Sequence, residues 1–125
     1  MNGPAATVWA WVPDLMDRSR LGGLAGIAFV ADPSELPDKA GADDVVLVDL
    51  SRPPALAAIS ELRSGPAARQ PKAIVGFSGH LERDLMRRAS EAGCDRVMAR
   101  SAFFKQAASV LASLASAKGE APGPR

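Results

Sequence analysis

The feature that most constrains the fold is a regular alternation, along the chain, of short apolar runs and longer amphipathic stretches. Five runs have the length of a β-strand, and none of them alternates polar and apolar residues. They cover residues 7–12, 26–30, 44–49, 72–77 and 96–99. Strands that are apolar on both faces are typical of a parallel sheet covered by helices on either side. The alternation therefore predicts an α/β fold.

The stretches between these runs carry helix signals. Asp14 opens a stretch in which Leu15, Arg18, Leu21 and Leu24 recur at a spacing of three residues. Further helices are predicted from a start signal at residues 32–35, over residues 56–64, over residues 81–92 with Gly93 as C-cap, and over residues 101–117 with Phe104, Ala108, Leu111 and Leu114 facing the core.

Five strands, each followed by a helix, form a (βα)5 unit with right-handed crossovers. We predict a flavodoxin-like three-layer sandwich around a parallel five-stranded sheet, with strand order 2-1-3-4-5. Residues 1–117 are assigned to this single domain. Residues 118–125, which are polar and rich in Gly and Pro, are expected to be a flexible C-terminal tail.

The charge balance narrows the classes of partner. Among 125 residues, 15 are Lys or Arg and 14 are Asp or Glu, which gives a net charge of +1. So little net charge argues against binding to nucleic acid or to an anionic membrane. One cysteine, Cys94, and one histidine, His80, leave no cluster for a zinc ion, and Cys94 is expected to be buried. With no signal-peptide or membrane-spanning run, we expect a cytoplasmic protein.

Any functional site of such a fold is expected beyond the carboxyl ends of the strands. The residues at those ends are few. They are residues 12–14 after the first strand, 49–53 after the third, 78–80 after the fourth, and 100–101 after the fifth. Among them, Asp14, Asp49, Ser78, His80 and Arg100 are the candidate site residues.

Two segments resemble the receiver domains of CheY-like response regulators. Residues 45–53 are an apolar run that ends in Asp49 and leads to Pro53, as in the third strand of that family. Residues 91–101 resemble the family's Ala-Gly-Ala segment, which leads into the fifth strand and ends in Lys-Pro. The resemblance extends over residues 7 to about 115 and implies a receiver scaffold.

The resemblance also implies roles for individual residues. Asp49 matches the phosphoryl acceptor, Ser78 the Ser or Thr that contacts the phosphoryl group, and Arg100 the family's lysine. Asp14 and His80 then lie at the rim. Receivers have two adjacent carboxylates after the first strand to hold Mg²⁺, whereas here only Asp14 remains.

That departure predicts a degenerate site. Asp17 lies one helical turn further on and is expected to point away. Asp14 alone would then assist Asp49, and two carboxylates are too few to hold Mg²⁺ well. A guanidinium is larger than an ammonium and prefers bidentate pairing, so Arg100 is expected to form a standing salt bridge with Asp49. We therefore predict neither a metal site nor catalytic residues.

The resemblance implies an interaction surface as well. Receivers dimerise or dock partners through the fourth helix, fifth strand and fifth helix. The candidate contacts here are Arg83, Arg87, Arg88, Phe103 and Phe104.

Together these features predict a stand-alone, non-enzymatic pseudo-receiver. It would act as a signalling or adaptor domain through protein contacts, with a second copy or a signalling kinase as partner and without a cofactor. Two alternatives stay open. One is a working receiver phosphorylated on Asp49 by a histidine kinase with Mg²⁺, assisted by Asp14 and Arg100. The other is a flavodoxin-like domain that binds a small ligand through residues 76–80.

Overall fold

Five parallel strands form one sheet in a computed structural model that describes residues 6–24, 26–79 and 82–116. The order β2-β1-β3-β4-β5 confirms the predicted topology. Because Asp49 pairs in register with Phe77, and Ser78 with Ala99, the strand ends that carry polar residues lie at one edge of the sheet. The strands are β1 Val8–Trp11, β2 Ile27–Phe29, β3 Val45–Asp49, β4 Ala73–Ser78 and β5 Arg96–Ala99.

Helices cover both faces of the sheet, as the continuous apolar strands predict. Successive residues of β3 point to opposite faces, so Val45 and Leu47 join one core cluster while Val46 and Val48 join the other. The helices are α1 Leu15–Leu21, α2 Leu36–Lys39, α3 Ala55–Ser64, α4 Arg83–Ala92, α5 Arg100–Lys105 and α6 Ala107–Ser116. The first cluster lies under α1, α5 and α6, and the second under α2, α3 and α4.

The last predicted helix is two helices. The chain leaves the helical conformation at Gln106 (φ −128°, ψ 20°), and this single residue separates α5 from α6. The break changes which residues face the core: Phe103 and Ala107 are buried, whereas Ala108, predicted to be a core residue, is exposed. A buried Phe103 ring stacks on Phe77 with their centroids 5.2 Å apart.

The predicted stripe on the first helix is also wrong at its beginning. Leu15 and the neighbouring Met16 are both 76% exposed. Leu21 at the other end is fully buried. Two large apolar side chains therefore project from the start of α1.

Two further boundaries follow local signals. Asp32 and Glu35 form a capping box around the 3-10 turn Pro33–Glu35, at the start signal predicted before α2, and Gly93 ends α4 with a positive φ. Cys94 is buried, as predicted. No helix within the described ranges is long and apolar enough to cross a membrane.

Candidate functional site

Asp49 ends the central strand β3 and is almost completely buried. Its Oδ1 accepts hydrogen bonds from the Ser51 backbone N–H at 3.0 Å and from the Ser51 hydroxyl at 2.5 Å. Its Oδ2 lies 3.7 Å from Nε of Arg52, which extends over it from the β3–α3 loop. Both carboxylate oxygens of Asp49 thus have a partner within three residues along the chain.

Asp14 serves as the cap of α1. Its Oδ1 accepts hydrogen bonds from the backbone N–H groups of Met16 at 2.8 Å and Asp17 at 3.1 Å. The hydrogen bond from Asp17 is the main reason that the pKa of Asp14 lies below its usual value. The one acid that follows β1 is therefore engaged in starting a helix.

The sequence prediction that Asp17 points away from the site is wrong. Rather than pointing away, its side chain is only 1% exposed and pairs with the Arg100 guanidinium through Oδ1. Its Oδ2 is buried and has no hydrogen-bond partner among the described residues. Burial raises the pKa of Asp17 despite the charge of Arg100, and the nearby carboxylates of Asp14 and Asp49 add to the rise.

Arg100 pairs with Asp17, so the expected salt bridge to Asp49 is wrong. Arg100 is the first residue of α5, and its guanidinium carbon lies 6.0 Å from the ring centroid of Phe77 and 5.7 Å from that of Phe104. The Arg100 side chain therefore lies near both rings. The guanidinium is attracted to the ring faces and ends at the buried carboxylate.

Ser78 ends β4 beside Asp49 in the neighbouring strand. Its side chain is buried, and its hydroxyl donates a long 3.4 Å bond to the Gly79 carbonyl. The Gly79 N–H donates to Oε1 of Glu82 at 3.0 Å, which holds the start of the following loop. His80, the predicted rim histidine, lies outside the described residues.

The predicted docking residues divide into two groups. Phe103 is fully buried, so its assignment to an interaction surface is wrong, while Phe104 is half-buried. The α4 arginines are exposed, but Arg87 pairs with Asp84 and Glu91, and Arg88 lies 3.8 Å from Asp84. The charge of this face is therefore largely balanced within α4.

Sequence reasoning placed Asp17 outside the site and gave no role to Arg52. A spacing of four and then three residues links Asp17 to Leu21 and Leu24; Asp17 and Leu21 are buried, and Leu24 packs against the same core cluster as Leu21. That periodicity competes with the stripe through Leu15 and would have placed Asp17 inside. Arg52 carries a weaker signal, since it follows Asp49 by only three residues.

We compared the chain with known protein families, sequences and structures. No protein-family model matches the chain, and no curated protein sequence matches it at a significant level. Solved structures do. A response regulator from Hahella chejuensis matches with a TM-score of 0.72 at 19% identity, and the match covers 90% of this chain and 96% of that one.

Two further structures match over similar lengths. The phosphorylated cyanobacterial phytochrome response regulator RcpA has a TM-score of 0.68 at 15% identity, with 90% of this chain and 96% of that chain covered. The receiver domain of Ssk1 from Saccharomyces cerevisiae, crystallised with the phosphotransfer protein Ypd1, has a TM-score of 0.65 at 17% identity, with coverage of 90% and 92%. This chain has the CheY-like receiver fold. The topology predicted from the apolar runs and the resemblance stated from two segments agree with it.

The receiver fold implies a Mg²⁺ site at this edge of the sheet, and the residues present do not fit one. Among the described residues, no group of three or more His, Cys, Asp or Glu is arranged to hold a metal ion. The residue before Asp14 is Pro13, which offers no carboxylate, Asp14 caps α1, and Asp17 is paired with Arg100. Mg²⁺ needs several oxygen ligands in near-octahedral geometry, which these engaged carboxylates do not offer.

Proposed function

We propose that this chain is a pseudo-receiver, a non-enzymatic signalling or adaptor domain that works through protein contacts and without Mg²⁺-dependent phosphorylation. The observation that carries the proposal is the pairing of Arg100 with Asp17. In the receiver resemblance Arg100 would face the phosphoryl group on Asp49, but here its charge is taken up by a buried carboxylate of the chain itself.

The electrostatics of phosphoryl transfer support the same conclusion. The reaction depends on positive charge near the transferred group and on a nucleophile that can reach it. Asp49 is 2% exposed, and its Oδ1 accepts the Ser51 hydroxyl. Attack on a phosphoryl donor would require Ser51 and Arg52 to release the carboxylate, with no metal site to compensate.

Exposed side chains near this edge support a role in protein binding. Leu15 and Met16 project from the first turn of α1, next to Asp14. Exposed apolar groups that cluster beside a functional edge are typical of contact surfaces. The comparison structure of Ssk1 is a receiver bound to another signalling protein, and we propose a protein partner for this chain too. That partner is a second copy or a kinase, and the protein is expected to act in the cytoplasm.

Amide NMR with beryllofluoride and Mg²⁺ tests the proposal, because beryllofluoride mimics an aspartyl phosphate. We expect that the reagent does not shift the Asp49, Ser78 and Arg100 resonances of the wild type. It should likewise leave the spectrum of Asp49→Asn the same as without reagent. A phosphorylatable receiver measured in parallel verifies that the reagent is active.

The rival function is a working receiver that is phosphorylated on Asp49. The position of Asp49 at the end of β3, beside Ser78 on β4, favours it. Incubation with acetyl phosphate and Mg²⁺ followed by intact-mass measurement decides between the two. A phosphate adduct that is absent from Asp49→Asn would establish the rival and overturn our proposal.

A further inference from the structure

A groove runs along the α1 and α6 side of the sheet. It consists of two adjoining cavities of about 780 and 250 Å³. Leu24 and Ala108 line both cavities and so mark where they meet. The larger one lies over the α5–α6 break, and the smaller one lies between α6 and strands β1 and β2.

The larger cavity is basic. Arg20 and Lys105 line it, both exposed, and none of the described residues that line either cavity is Asp or Glu. The Arg20 guanidinium lies 5.2 Å from the ring centroid of the half-buried Phe104, which holds that charge at the groove wall. This cationic end contrasts with α4, where Arg87 is matched by carboxylates on its own helix. It is also locally basic in a chain whose net charge is only +1.

The smaller cavity is apolar. Its wall on α6 includes Ala108, Leu111, Ala112 and Ala115, and Ile27 lies opposite. Three of these four α6 residues are alanines, so a helix that lies in the groove could approach the α6 backbone closely at those positions. At 1.5 Å per residue, the ten residues of α6 extend about 15 Å, which matches a ligand helix of about three turns.

From this combination we infer that the groove docks an amphipathic helix of a protein partner. The apolar face of that helix would lie along α6, and acidic side chains at one end would face Arg20 and Lys105. Charge complementarity argues for this occupant, because an acidic helix end finds two cations there and no opposing carboxylate among the described lining residues. The inference rests on the proposed function in one respect, since it names the surface and the kind of partner through which a non-phosphorylated receiver fold would act.

A displayed library of helical peptides with randomised surfaces tests the inference on the full chain. Selected helices are expected to carry Asp or Glu at one end and to shift the amide resonances of Leu24, Phe104, Ala108 and Ala112 in NMR titration. The selected peptide should bind about tenfold more weakly to the double variant R20E/K105E. It should also bind more weakly to Ala112→Gln, which places a longer side chain in the apolar cavity.

The matched control is K39E/R69E, which changes the net charge equally at two exposed residues that line neither cavity and should leave the affinity unchanged. Equal weakening by both double variants would reduce the effect to overall charge and overturn the inference. Two other occupants are also detectable. If deletion of residues 117–125 raises the peptide affinity strongly, the chain's own tail is the occupant, and if R20E/K105E dissociates a dimer in sedimentation, a second copy is.

The failure of this inference is distinguishable from failure of the proposed function. If the selected helices bind only at Leu15 and Met16, the groove is not the docking site, but a protein-binding role for the chain still stands. A phosphate adduct on Asp49 would overturn the pseudo-receiver without moving the peptide from the groove.

Discussion

The Arg100 guanidinium joins the start of α5 to the Asp17 carboxylate in α1, and it passes Phe77 and Phe104 on the way. The two members of this pair differ in exposure, since the Arg100 side chain is 41% exposed and that of Asp17 is 1% exposed. Loss of the arginine therefore leaves a buried charge, whereas loss of the aspartate leaves a charge that can reach solvent. We therefore expect the loss of Arg100 and the loss of Asp17 to change the free energy of unfolding by different amounts.

A double-mutant cycle should reveal the asymmetry. We expect Arg100→Met to lower the free energy of unfolding at neutral pH by about 2 kcal/mol, less than the loss for a fully buried pair because Arg100 is partly solvated. Adding Asp17→Asn should restore most of the loss, since no buried charge then remains. Arg88→Met is the control, and its long, exposed contact with Asp84 should be worth less than about 0.5 kcal/mol. Urea denaturation measures all four proteins, and equal losses in the presence and absence of Asp17 would refute the pairing.

The pH dependence of stability follows from the raised pKa of Asp17. A carboxyl whose pKa is higher in the folded state than in the unfolded state contributes stability that is fully present below its unfolded pKa, about 3.9, and is lost as the pH rises through the folded pKa. The unfolding free energy of the wild type relative to Asp17→Asn should therefore fall as the pH rises above about 4. Denaturation curves across this range check the sign, and a difference that rises with pH would contradict it.

The sheet could be predicted from sequence because its determinants are local. The three inner strands β1, β3 and β4 are apolar runs that are buried almost throughout, and turn residues such as Gly65 and Gly93 separate the elements. The position of Asp49 followed directly, since a polar residue that ends such a run must lie at the sheet edge. Cys94 was predictable for the same reason, because it enters a strand immediately after a helix cap.

The pairing of Arg100 could not be predicted in this way. It depends on the rotation of α1 about its own axis, which is set by the burial of Leu21 against distant strands and not by the apolar spacing from Leu15. The break at Gln106 is similar, since stacking of Phe103 on Phe77 decides which face of α5 turns inward. Both features rest on contacts between residues far apart in the chain.

Gly93 should tolerate substitution poorly. Its φ is +124°, and an added Cβ would lie 2.2 Å from Cγ of Arg63, whose Nε donates to the Gly93 carbonyl at 2.9 Å. We expect Gly93→Ala to lower the unfolding free energy by about 2–4 kcal/mol, through backbone strain and displacement of Arg63. Gly23→Ala is the matched control, because an added Cβ there meets nothing within 4 Å, and its effect should stay within about 0.5 kcal/mol. Similar midpoints for the two variants in thermal denaturation would show that the Gly93 backbone relaxes.

Cys94 should be inert in the folded protein. Burial is the main cause that raises the pKa of its thiol to about 12, and Sγ lies 3.2 Å from the Arg96 carbonyl and 3.4 Å from that of Ile74. Since the thiolate is the nucleophile, the folded protein at pH 8 should react with a disulfide reagent about a thousandfold more slowly than free cysteine. In denaturant the same thiol should react at the rate of free cysteine, which provides the control. Rapid labelling of the native protein would mean that the junction between α4 and β5 opens readily, and the expected slow reaction would mean that it stays closed.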